Sequence, residues 1–285
     1  MSVNARSAQF SMRDALYEEP GPRTRRRIQI GTAIAAVVVA ALLVVVVHQF
    51  WATGQLDPQY WLFFTQGTTW TFLFSGFLGT LSVSLTAAVI AIFLGFLLML
   101  GRISGIRPLA AVCRIVTDFF RGVPSLLLIY FFFLVVPQYG IKLPAFWMIT
   151  APVALAASGV LAEVLRAGVN AVPRGQTEAA LSIGMRPFRA RMLIVVPQAI
   201  RFVIPSLISQ LVVVVKDTTL AYVVSYPDLL QNARVLITNY DALVSTYFVA
   251  AIIYILLNYA INQLAVLASK KTGSGRVDRM TQNST

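Results

Sequence analysis

The chain has 285 residues, 58% of them hydrophobic and 12% charged, with a formal net charge of +12 and a mean hydropathy of +0.75. A water-soluble domain of this size carries about 25% charged residues, so the composition excludes that class and points to an all-α polytopic membrane protein. One cysteine, Cys113, and one histidine, His48, withdraw support from an internal disulfide, a clustered metal site and a Ser-His-Asp triad together.

Residues 1–27 read as a polar cytoplasmic arm in which Pro20-Gly21-Pro22 breaks any helix just before Arg23, Arg25, Arg26 and Arg27. The uncharged run 28–51 is long enough to cross a hydrocarbon core of roughly 30 Å and forms an accessory transmembrane helix. More than twenty polar residues precede it, so it is read as retained, not as a cleaved signal peptide. The segment from Asp57 to Trp70 is too short and polar to span, yet it carries Tyr60, Trp61 and Trp70. Aromatic rings of this kind sit well at headgroup depth, which predicts an interfacial helix.

Five further spans are expected at about 72–100, 111–136, 146–167, 194–215 and 244–268. They form a transmembrane domain over 70–268, followed by a cytoplasmic tail over 269–285 rich in small and basic residues. With the N-terminus inside, Arg102, Arg107, Arg174, Arg186, Arg189, Arg191, Lys270, Lys271, Arg276 and Arg279 all fall on the inner side. Only Lys142 and Arg234, with Lys216 near a boundary, fall outside, and this asymmetry fixes both termini in the cytoplasm. The positive charge therefore meets anionic membrane lipid and needs no nucleic-acid partner. Pro124, Pro197 and Pro205 lie within or beside predicted spans and are expected to kink or end helices.

The polar segment 170–192 lies between the fourth and fifth spans. Pro173 and Gly175 mark a turn, Gln176 to Ile183 are good helix formers, and Gly184 is placed to end that helix. The expected shape is a short helix, a glycine turn and a second helix. Ala179 and Ala180 would let a partner surface come close, and Glu178 would offer a carboxylate to a basic group across the contact.

Glu178-Ala179-Ala180, Gly184, Ile194 and Pro197 resemble the Glu-Ala-Ala, Gly, Ile-x-Leu-Pro hallmark of the integral membrane permeases of ATP-binding-cassette importers, with Val196 where leucine is usual. Gly79-Thr80-Leu81-Ser82, Phe120-Arg121-Gly122-Val123-Pro124, Glu163-Val164-Leu165-Arg166-Ala167-Gly168 and Lys216-Asp217-Thr218-Thr219-Leu220 are similar to elements of the polar amino-acid uptake branch. Tyr17-Glu18-Glu19-Pro20-Gly21-Pro22 and the extra helix look like actinobacterial glutamate permease subunits. The resemblance implies the type I importer permease fold, here a five-helix core plus one N-terminal helix, in a bacterial inner membrane. It also implies two cytoplasmic ATPase subunits that bind ATP and Mg, a second permease subunit and an extracytoplasmic substrate-binding protein. Glu178, Ala179, Ala180 and Gly184 would then dock the ATPase. The chain has no Gly-x-x-x-x-Gly-Lys-Ser/Thr loop of its own to cradle phosphates. It is accordingly read as a non-catalytic subunit with no cofactor, metal or catalytic residue, carrying a polar amino acid such as glutamate or glutamine.

The substrate path is argued from charged groups inside the membrane, since burying a charge in lipid is costly. Asp118 with Arg121, Glu163 with Arg166, Lys216 with Asp217, and Arg201 are the candidates. Arg121 and Glu163 are read either as a structural ion pair or as substrate contacts, and Arg166 as a side chain that reaches to the inner interface. Lys216-Asp217-Thr218-Thr219 interrupts an apolar run with a cation, an anion and two hydroxyls, where a broken helix would offer backbone groups to a zwitterion; the alternative is a pair that staples two helices. An ion-coupled secondary transporter is the competing class, and it leaves the 170–192 segment unexplained.

Overall fold

The computed structural model of the chain describes residues 21–271, which are helical with no strand among them. The chain divides into two compact units, Met1–Asp57 and Pro58–Thr285.

In the first unit, helix α1 spans Pro22–Ala52. Pro22 stands in the first turn, where no backbone N–H is needed, so the arginine cluster that the sequence assigned to a polar arm lies inside the helix. None of its residues is buried within the unit, and from Ala33 to Val47 every side chain is apolar. The end is sealed by Thr53, whose Oγ1 donates to the Gln49 carbonyl at 2.9 Å. Most of the arm lies outside the described residues.

The second unit begins with α2, Gln59–Leu62, which tightens into a 3₁₀ turn over Phe63–Thr65. The segment expected at the membrane interface is thus helical. Trp70 Nε1 donates to the Phe64 carbonyl at 2.7 Å, Phe63 stacks on Tyr240, and Trp61 meets the edge of Phe248. Next come α3, Gly67–Ile103, and α4, Arg107–Gly122. Helix α5, Ser125–Tyr130, runs on through a π turn and a 3₁₀ turn to Tyr139. Helix α6 spans Ala145–Ala171, α7 Arg174–Ser182 and α8 Pro187–Ala190. A π turn over Arg191–Val195 leads into α9, Val196–Thr218, and a 3₁₀ turn over Thr219–Val224. Helices α10, Leu229–Tyr240, and α11, Leu243–Lys271, complete the described chain.

Among the described residues, five helices are long and apolar enough to cross a membrane, or six if the bent pair α4–α5 is counted as one span. The span expected at 111–136 is that pair, turned through 97° at Val123-Pro124. Both residues are extended (ψ 127° and 131°), because proline disfavours a helical residue before it and cannot donate to the turn behind it. Pro197 sits harmlessly in the first turn of α9, whereas Pro205 lies inside that helix without ending it.

The core is formed where α3 packs along α6. Val83, Ala87 and Ala91 on α3, and Ala154, Ser158 and Ala162 on α6, are buried at steps of four residues, which keeps each set on one helix face. Small residues let the backbones approach. A Cβ on Gly95 would lie 3.0 Å from the Ser158 carbonyl, and one on Gly159 would lie 2.8 Å from the Arg121 amide. Substituting Gly159 would therefore push α4 away from α6.

Candidate functional site

The segment between α6 and α9 folds as a capped hairpin. Helix α7 covers Arg174–Ser182, slightly earlier than the expected Gln176–Ile183. Its end is closed twice: the Gly184 amide donates to the Leu181 carbonyl at 2.9 Å, and the Met185 amide to the Ala180 carbonyl at 3.1 Å. This 6→1 and 5→2 pair of bonds requires a left-handed residue at the turn. Gly184 supplies it with φ +82°, and a Cβ there would meet nothing within 4 Å. The glycine is needed for its backbone conformation, not for space.

The hairpin is held from below. Val172 is buried with Val195 and Ala199, and Ala180 and Ala190 are buried as well. Arg191 donates to the Ile103 carbonyl at the end of α3, and Gln198 Nε2 donates to Gln176 Oε1 at 3.3 Å. What remains outside is Glu178, Ala179 and Gly184 together with Leu181, Ile183 and Phe188. Ile183, 79% exposed, is a bare aliphatic side chain on a rigid turn, which invites a partner surface. Ala180 and Ala179 are both expected from the sequence to meet a partner. The fold separates them: Ala180 points into the chain and anchors the hairpin, while Ala179 stays exposed.

The intramembrane charges pair differently from the expectation. Glu163 does not meet Arg121. It accepts from Arg102 Nη1 at 2.7 Å and from Arg166, whose Nε lies 3.1 and 3.2 Å from its two oxygens. Helix α3 ends beside this part of α6, which brings Arg102 in from a position 61 residues away. Arg166 is thus bound to Glu163 and does not simply reach to the interface. Arg121 instead faces Asp118, 3.6 Å away within its own helix.

The Lys216–Thr219 stretch is not a break. The α-helix runs through Thr218 and tightens to 3₁₀ only from Thr219, ending at Ser225 with φ +52°. The hydroxyls of Thr218 and Thr219 donate to carbonyls of their own helix, Val215 at 2.7 Å and Lys216 at 2.6 Å. Asp217 accepts a 2.7 Å bond from Ser125 Oγ, while Lys216 is exposed. The four residues therefore do not converge on one ligand. Asp217 joins α9 to α5, Thr218 is buried, and Lys216 faces away from the packed interior.

The profile of the family described as "Binding-protein-dependent transport system inner membrane component" matches residues 91–274. This chain belongs to that family. It is similar to the glutamate transport system permease protein GluD of Corynebacterium glutamicum, 34% identical over 227 residues, which cover 78% of this chain and 83% of the relative. It is also similar to the probable glutamine ABC transporter permease protein GlnP of Bacillus subtilis, 32% identical over 199 residues, or 68% of this chain and 90% of that one. Among solved structures, an amino acid ABC transporter crystallised with histidines matches with a TM-score of 0.69 and 28% identity, over 73% of this chain and 98% of that chain. The MetNI methionine ABC transporter matches in fold, with a TM-score of 0.62 and 15% identity over 73% and 99%. The expected all-α importer permease fold is therefore the observed one.

For a multi-pass transport component of this family, one polar cluster outside the expected sites also matters. Asp228 caps α10, accepting from the Gln231 amide at 2.8 Å. Thr80 accepts the Leu229 amide at 3.1 Å, and Asn232 Nδ2 donates to the Phe72 carbonyl at 2.7 Å. A Cβ on Gly76 would lie 2.7 Å from the Asp228 carbonyl, so α10 enters α3 where side chains are missing. Burial pushes the Asp228 carboxyl up to about 6, against the amide bonds from Gln231 and Leu230 that favour its charged form. A readable signal was Asp228 standing just before the apolar Leu229-Leu230, an N-cap pattern. Arg102 and Ser125 gave no comparable sign.

Proposed function

We propose that this chain is the permease subunit of an ATP-driven importer for a polar amino acid, glutamate foremost, and that the α7–α8 hairpin is where a cytoplasmic ATPase docks. The observation that carries the reading is the hairpin itself: a capped helix anchored at both ends, with Glu178, Ile183 and Phe188 turned outward. A rigid element of this kind transmits a push without deforming. The relatives named for glutamate and glutamine transport support the amino-acid class, and the family does not favour an ion-coupled secondary transporter.

In the proposed assembly the chain pairs with a sister permease, two ATPase subunits on the inner face and a binding protein on the outer face. ATP and Mg belong to the ATPase subunits. Closure of the ATPase pair would move the two hairpins and switch the spans between inward-open and outward-open states. Both termini and the hairpin would lie inside, where the basic residues are concentrated.

The test replaces Glu178 with lysine in the complete complex. E178K should insert normally, lose co-purification with the ATPase and lose amino-acid uptake; retention of both would refute the docking role. A panel of amino acids presented with the binding protein, read as stimulated ATP hydrolysis, would identify the substrate. Labelling of S182C in a C113A background by an impermeant thiol reagent on intact cells should fail, and success would invert the topology.

A further inference from the structure

Arg102, Arg107, Arg114 and Arg166, with Ala110 and Ala111 as its floor, line a cleft of about 400 Å³. It lies where α3 ends, α4 begins and α6 approaches its last turns, which is one end of the bundle. Glu163 offsets one of the four cations by binding both Arg102 and Arg166. Asp118, the other nearby acid, pairs with Arg121 at 3.6 Å. Among the described residues, Arg107 and Arg114 meet no carboxylate. Asp118 also acts on Arg166, so counted with Arg121 the cleft and its rim hold an excess of about three positive charges, five guanidinium groups less two carboxylates. Like charges this close repel unless an anion sits between them.

We propose that this cleft binds the phosphodiester headgroup of an acidic membrane phospholipid. Guanidinium groups match phosphate oxygens in a two-pronged geometry that a lysine cannot reproduce. Basic pockets between spans at the membrane face are suited to such headgroups. A free phosphate has the same charge chemistry, but the surroundings favour the lipid. Leu109, Val112, Ile115 and Phe119 are exposed apolar side chains of α4 on the side of that helix turned away from Arg107 and Arg114, the two-faced arrangement of a helix that lies at a lipid surface with its basic side among the headgroups, where a soluble anion needs no apolar face. Arg102 and Arg166 are fixed by Glu163, so the cleft is preorganised on one wall, while Arg107 and Arg114 are free to close on the ligand. The site rests on the membrane reading above but not on ATPase docking or amino-acid choice, and it can fail while those stand.

The full chain, purified in a neutral detergent, is offered phosphatidylglycerol and phosphatidylcholine of identical acyl chains, and retained lipid is read by native mass spectrometry. Wild type should retain phosphatidylglycerol over phosphatidylcholine by about tenfold. R107Q/R114Q, which breaks no ion pair of the fold, should bring the ratio close to unity, and R107K/R114K should restore part of it. Equal retention by wild type, or unchanged selectivity in the glutamine variant, would overturn the assignment. Displacement of phosphatidylglycerol by millimolar inorganic phosphate or glutamate would overturn it in favour of a soluble-anion site. Should the glutamine variant fail to fold, a photoactivatable phosphatidylglycerol on wild type decides: crosslinks within the Arg107–Arg114 peptide support the site, and crosslinks only elsewhere remove it.

Discussion

Ser125 Oγ donates to a carboxylate oxygen of Asp217 across 2.7 Å, joining the first residue of α5 to the last turn of α9. Ser125 directly follows the 97° corner at Val123-Pro124, and Asp217 lies two residues before Thr219, where α winding gives way to 3₁₀. The bond therefore fastens two irregular points of the backbone to each other.

Removing it should behave as the loss of a staple. S125A leaves a partly buried acceptor without its donor and is expected to cost about 1–3 kcal/mol of stability. D217A should cost at least as much, and S125A/D217A little more than D217A alone, because both changes remove one interaction. Thermal unfolding of the purified permease checks this. Additive losses would mean that Asp217 acts through some other group.

Glu163 is the shared anion of Arg102 and Arg166, so E163Q should be the most damaging of the charge substitutions in the spans. It leaves two neighbouring, partly buried cations unneutralised, with an expected cost of about 1.5–3 kcal/mol. R102Q/E163Q should recover a large part of that loss, since one cation disappears with the anion. Expression level and unfolding midpoint of the three variants provide the measurement. If the double variant is worse than E163Q, the pair is not the structural unit described here.

Gly184 is required for its left-handed backbone. G184A should weaken the hairpin cap by about 1–2 kcal/mol, and G184N by less, because asparagine tolerates that region better. Hydrogen exchange over residues 174–190 should rise in G184A while the rest of the permease is unchanged. Equal protection in wild type and G184A would show that the cap does not set the rigidity of this element.

Asp228 predicts a pH dependence with a definite sign. Its carboxyl is raised from the ordinary value near 3.8 to about 6, so the folded state holds a proton that the unfolded chain has already released. The stabilisation is full below about pH 4 and is lost as pH rises through about 6, a swing on the order of 3 kcal/mol. D228N keeps an N-cap acceptor without the titration. It should flatten the apparent unfolding midpoint between pH 4 and 7 and match or exceed wild type at pH 8.

Structure is most legible in this sequence where one local rule controls the outcome. Gly184 could be placed at a helix end because few other residues adopt its backbone conformation, and Pro124 could be marked because it disrupts the turn before it. It is least legible where the outcome depends on which helix lies alongside. Nothing near Glu163 in the chain announces Arg102, since that meeting depends on where a 37-residue helix stops. Ala179 and Ala180 are identical side chains one residue apart, and only the rotation of α7 decides which is buried. Lys216 and Asp217 looked like a pair, but neighbours on a helix point about 100° apart, so one reaches Ser125 while the other faces out.

The corner at Val123-Pro124 carries a requirement of its own. Taken together as one crossing, α4 and α5 put an unwound stretch of backbone between the two faces of the bilayer, where hydrocarbon offers no hydrogen bonds to bare amides and carbonyls. Lipid tails cannot be what touches this elbow. Part of what stands there instead is this same chain: Gly159 of α6 comes up against the Arg121 amide and Asp217 of α9 takes hold of Ser125, so the two loose ends of the elbow are sheltered by their own neighbours.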